Sequence, residues 1–129
     1  MTTLLPLYSS KVQAGFPSPA DDYMEDKLDL NKHLIQHPAA TFLVKVAGDA
    51  MQDIDMCEGD ILIVDKSIKP YSGRVVIAVL DGQMLVRRLQ YQGNEVYLLA
   101  ANKKYPVTVV TADNTLEIWG VVTYVIHKF

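Results

Sequence analysis

"RVVIAVLDGQMLVRRLQY" (residues 74–91) decides the fold. Two apolar runs, rich in β-branched residues, flank the dipeptide Asp81-Gly82. Asp-Gly suits the two-residue hairpin turn in which both central residues take positive φ. The stretch therefore predicts an antiparallel hairpin whose first strand, "VVIAVL", is apolar throughout and so buried on both faces.

Outward from the hairpin the signal stays that of strands. "TFLVKVA" (41–47) alternates, with Phe42, Val44 and Val46 on one face and Lys45 on the other. "DILIVD" (60–65) is a second nearly continuous apolar run, and "EVYLLA" and "TLEIWGVVTYVIHKF" complete the set. Gly120 marks a bulge or bend in the last of these. That strand is apolar on both faces from Trp119 to Val125, which would be an aggregation hazard at a bare sheet edge. Either the domain's own core or a second copy of the chain is expected to cover it. A homodimer is the reading taken.

The N-terminal side differs. Residues 1–20 hold Pro6, Pro17 and Pro19 and are expected to form an extended arm, with residues 21–129 as a single β domain. One short helix is expected within "PADDYMEDKLDLNKHLIQHP" (19–38). Asp29 caps it, Leu30 and Leu34 share a face, and Pro38 stops it.

Composition narrows the function. With 129 residues, half of them apolar and about a fifth charged, the chain can bury a core of its own. A net charge of −3 argues against a free-standing nucleic-acid binder. The short basic clusters "VRRL" (86–89) and "NKKY" (102–105) read as solvated faces. The one cysteine, Cys57, precludes an intramolecular disulfide and suits a reducing cytoplasm. No neighbour in "MCEGD" activates it, so a structural thiol is expected. No run is long enough to span a bilayer, and the N-terminus lacks the pattern of a signal peptide. His33 and His37 stand four apart, but Pro38 breaks the helix that would align them, and no third ligand has a convincing spacing. His127 has no evident partner. No metal and no cofactor are expected.

Three stretches remain: "VQAGFPSP" in the arm, "GDAM" (48–51) followed by "EGDILIVDK", and "DGQMLVRRLQ". Singly each reads as a loop, a turn and a charged strand. Together, as "GFPSPA-DY", "DLN--LIQHP-AT", "GD-M", "GD-LIVD" and "V-basic-basic-L" after a DG turn, they resemble the self-cleaving serine peptidases of the LexA and UmuD type. The resemblance runs from about Gly15 to Tyr124 and is stronger to the UmuD branch.

The resemblance implies a peptidase-type β domain. It also implies a nucleophilic serine at the position of Ala50, a general-base lysine at that of Arg87, and a scissile bond at Ala14–Gly15. A serine hydroxyl is a poor nucleophile until a base takes its proton, and a lysine desolvated among apolar groups can supply the neutral amine. Here Ala50 has no nucleophile. Arg87 stays protonated at any usable pH and cannot be a base. A family peptidase is thus expected to be inactive in this chain. Arg87, longer than lysine and always charged, is expected to turn its head towards solvent or an acidic residue.

In function the resemblance implies an accessory or regulatory subunit of SOS translesion DNA synthesis. Its partners would be a second copy, a UmuC-type polymerase subunit, the RecA filament on single-stranded DNA, and the replication clamp, with no direct sequence-specific DNA contact. The rival reading is a LexA-type transcriptional repressor, which needs a DNA-binding helix-turn-helix; only 14 residues precede Gly15. A membrane-bound signal peptidase relative would need a transmembrane helix.

Overall fold

A computed structural model describes residues 2–8, 12, 14, 15 and 24–129. The chain divides into two compact units, residues 1–36 and 37–129.

In the first unit, β1 (Leu4–Tyr8) pairs antiparallel with β2 (Met24–Asp29), Leu4 opposite Asp29. Part of the segment expected as an extended arm is therefore a strand. Pro6 stands opposite Lys27 in a two-stranded ribbon, and proline is confined to such edge strands. β2 runs directly into α1 (Leu30–Leu34), whose N-cap is Asp29; its Oδ1 accepts from the Asn31 N–H at 3.1 Å. The helix ends at Leu34, and Pro38 opens a separate single turn of 3₁₀ helix.

The second unit is a seven-stranded antiparallel sheet. Its strands are β3 (Thr41–Lys45), β4 (Ile61–Asp65), β5 (Val75–Leu80), β6 (Gln83–Gln92), β7 (Glu95–Leu99), β8 (Thr108–Val110) and β9 (Leu116–Ile126). Their order is β3-β4-β9-β5-β6-β7-β8. The 74–91 hairpin forms as its sequence requires: Leu80 faces Gln83, and Asp81 and Gly82 have φ of 49° and 83°. The Asp81 carboxylate accepts from the Thr115 N–H at 2.8 Å and the Asn114 amide at 2.7 Å, fastening the hairpin tip to the turn before β9.

β5 explains its unbroken apolar run. Ile77 belongs to one core cluster with Val46, Met51, Met56, Leu62 and Val64. Val76 and Ala78 point into another with Leu89, Leu98 and Val121. Alternate residues of one strand thus feed two separate cores. β9 lies between β4 and β5, so both its edges are hydrogen-bonded within the unit. Its central Gly120 and Val121 are buried, while Tyr124 and Ile126 stay partly exposed. The register shifts beside Gly120, where a Cβ would come within 2.6 Å of Val64 Cγ1. The glycine is there because the chain of β4 passes too close for any side chain.

Candidate active site

The stretch "VAGDAM" leaves β3 along a fixed path. The Val46 N–H donates to Asp60 O at 2.9 Å and the Gly59 N–H to Val46 O at 2.8 Å, which extends the β3–β4 pairing by one step. Gly48 then turns the chain with φ of +82°, a conformation that favours glycine. Met51, 1% exposed, anchors the far side in the core. Between them, Ala50 O accepts from the Ala101 N–H at 2.8 Å, and Ala101 O accepts from the Asp53 N–H at 2.8 Å. Position 50 is therefore held by the buried Met51 beside it and by backbone bonds to Ala101.

Arg87 comes from the other direction, on β6 opposite Val76. Ala50 and Arg87, 37 residues apart in sequence, line one cavity of about 260 Å³. Val44, Val46, Leu62 and Ile77 form its apolar wall, and Tyr105 closes it. Arg87 Nη1 donates to Val86 O at 2.8 Å, and the guanidinium lies 5.9 Å from the Tyr105 ring centroid. It thus turns to a carbonyl and a ring face rather than to solvent or a carboxylate, because the Tyr105 ring offers a weakly hydrated cation favourable contact without moving it out of the cavity. Desolvation pulls its pKa below the ordinary arginine value, with the Tyr105 side chain opposing. Arginine has so high a pKa that it remains a cation there.

Around this pair stands a polar group that the sequence did not announce. Asp49 Oδ2 meets Lys104 Nζ at 2.5 Å, and Asp49 Oδ1 accepts from the Tyr105 hydroxyl at 2.5 Å. The Asn102 amide donates to Asp49 O at 2.9 Å. Lys104 and then Tyr105 hold the Asp49 carboxyl below its usual range, and Asp49 in turn raises both partners. "NKKY" is therefore not merely a solvated face: Asn102, Lys104 and Tyr105 steady the loop that carries Ala50. No periodicity links residues more than 50 positions apart, so only the fold could bring them together. The arrangement offers an apolar wall, the Arg87 cation and no hydroxyl or thiol at position 50. With a methyl group at position 50, no acyl-enzyme can form through that side chain.

Other expected residues fall elsewhere. Ala14 and Gly15 form an exposed bend in the first unit. His37 Nδ1 pairs with Asp65 Oδ2 at 2.6 Å. His127 does have a partner: its Nδ1 lies 2.7 Å from Asp60 Oδ1, and Cys57 stands beside both. The reading of "MCEGD" as lacking a neighbouring histidine is corrected by this approach, which the β4–β9 pairing brings about across 70 residues. No helix among the described residues is long and apolar enough to cross a membrane.

A family model described as Peptidase S24-like matches residues 6–123. The chain is 46% identical over 123 residues to Protein SamA of Salmonella typhimurium, covering 95% of this chain and 85% of that protein. It is 42% identical to Protein ImpA of Escherichia coli, over 95% of this chain and 83% of that one. To the LexA repressor of Shewanella woodyi it is 37% identical, over 96% of this chain and 60% of the repressor.

Proposed function

The chain belongs to the Peptidase S24-like family, and from that premise we propose that it is a non-cleaving, UmuD-type accessory subunit of SOS translesion DNA synthesis. Ala50 stands at the nucleophile position, Arg87 at the general-base position, and Ala14–Gly15 is the bond that an active relative would cut. The observation that carries this reading is that Ala50 and Arg87 line one cavity. Residues so far apart in sequence need not have met at all. The apolar lining suits a lysine base: burial there would lower an ammonium's pKa, whereas a guanidinium remains charged.

Loss of the nucleophile alone costs on the order of 10⁶ in rate, about 8 kcal/mol of transition-state stabilisation. The uncut chain then acts through binding: as a homodimer, to a UmuC-type polymerase subunit, to the RecA filament and to the replication clamp. Mass spectrometry after incubation with RecA, single-stranded DNA and nucleotide tests the reading. The chain as it stands should remain whole, and the double variant Ala50→Ser, Arg87→Lys should yield a fragment beginning at Gly15. A double variant that folds but never cleaves would remove the assignment of these positions. A repressor would instead shift a specific duplex in a gel, and none is expected to shift here.

A further inference from the structure

At the opposite end of β4 from Asp65, a second group of chemically capable side chains converges. The turn 57–60 is tight: the Asp60 N–H donates to Cys57 O at 3.0 Å, with Gly59 at φ +88°. This turn points the Cys57 side chain and the Asp60 carboxylate to one side. Asp60 Oδ2 accepts from the Cys57 N–H at 2.9 Å. β9 supplies the third member. Ile61 faces Ile126, so the next position along each strand brings His127 opposite Asp60. Its Nδ1 sits 2.7 Å from Asp60 Oδ1. One donor atom from each of Cys57, Asp60 and His127 lies within 4.8 Å of the others.

The geometry points to a transition-metal site at Cys57, Asp60 and His127, taking Zn²⁺ or Co²⁺. The donor set is one thiolate, one imidazole and one carboxylate, the mixture that borderline-soft divalent ions prefer over Mg²⁺ or Ca²⁺. Zinc bonds of roughly 2.0–2.3 Å put tetrahedral ligand atoms about 3.2–3.8 Å apart. From donor atoms within 4.8 Å of one another, the cluster closes on the sulfur side by at most about 1–1.6 Å and opens by about half an ångström between Asp60 and His127 to meet that spacing. Asp60 is 4% exposed, so its charge is already desolvated and fixed in place. Cys57 and His127 are more accessible and line a cavity of about 300 Å³ with Asp55 and Phe129. An ion can enter there, and a water can complete four-fold coordination. On binding, the Cys57 thiol loses its proton to solvent. The His127 ring moves its remaining proton to Nε2, leaving the Nδ1 lone pair for the metal. The Phe129 ring, edge-on to His127 at 5.2 Å, limits the imidazole's rotation.

None of these three side chains lines the Ala50–Arg87 cavity, and the site does not depend on the function proposed above. Titration of the untagged full chain with Co²⁺ tests it. One ion per chain should bind, with a near-ultraviolet thiolate-to-cobalt charge-transfer band. Competition between Zn²⁺ and a chromogenic chelator should give the same stoichiometry. Cys57→Ser should abolish the band, and His127→Gln should weaken Zn²⁺ binding at least about ten-fold. Circular dichroism checks that each variant is folded; His127 is half exposed, so its variant remains informative if the Cys57 variant unfolds. Absence of the charge-transfer band, or equal Zn²⁺ affinity in the parent and the folded variants, would overturn the site.

Discussion

At position 87 one side chain changes what the cavity can do. A lysine in this apolar slot could surrender its proton, but the guanidinium of Arg87 instead settles on Val86 O and the Tyr105 face. Nucleophile and base act as a unit, so their restorations should not add. On the proposed assignment, Ala50→Ser alone keeps a permanent cation at the base position, and Arg87→Lys alone restores a base with nothing to deprotonate. Each single variant should therefore match the parent in a cleavage assay over days; efficient cleavage by Ala50→Ser would mean that another group is the base. Two buried carboxylates elsewhere contribute to the response to acid. The Cys57 N–H, then His127, holds the Asp60 carboxyl below its ordinary range. Burial pushes Asp65 up, but the Ser67 hydroxyl and N–H together with His37 outweigh it, so its pKa is also depressed. A depressed carboxyl stabilises the fold above its unfolded pKa of about 4 and loses that contribution as pH falls through the folded value. Urea midpoints should thus drop below pH about 4, and Asp65→Asn, though less stable at pH 7, should show a shallower drop.

Among the elements, the 74–91 hairpin was legible because its cause is local: Asp-Gly fixes the turn, and the turn fixes the register. The capped helix at 30–34 was legible for the same reason, as was the bulge at Gly120. β1 was not, because Leu4–Tyr8 gains its partner only from residues some 20 positions on. The role of Gly120 is now physical: Val64 Cγ1, Asp65 O and Asp65 C would lie 2.6, 3.2 and 3.3 Å from an added Cβ. Val64 is fully buried and Asp65 contributes backbone, so neither yields cheaply. Gly120→Ala should cost about 1–3 kcal/mol, the usual penalty of overpacking. A shift of the denaturant midpoint without a change in slope would measure it. A neutral result would mean that β9 slides past β4, which the two-sided pairing of β9 argues against.

Across the whole molecule, the two units differ in how their hydrogen bonds are protected. Positions 50 and 87 could be singled out as candidates from motifs, yet the grouping of Asp49, Asn102, Lys104 and Tyr105 beside them could not. Nor could the approach of His127 to Cys57, because both groupings exist only once the seven strands are ordered. That ordering also sets local stability. β5 and β9 are interior strands with core side chains on their faces, so their amides can exchange only when much of the sheet opens. β1 pairs with a single strand, and Leu4, Leu5, Leu7 and Tyr8 are 40–59% exposed. A two-stranded ribbon of this kind is marginal in water because little apolar burial offsets the entropy of ordering it. Hydrogen exchange should therefore show the amides of β1 exchanging at least ~100-fold faster than those of β5 and β9 at the same pH. Destabilising the sheet with Gly120→Ala should speed β5 and β9 while leaving β1 unchanged, since β1 opens without waiting for the sheet. Equal protection across both units would show that they unfold as one, and the division at residue 36 would then have no energetic meaning.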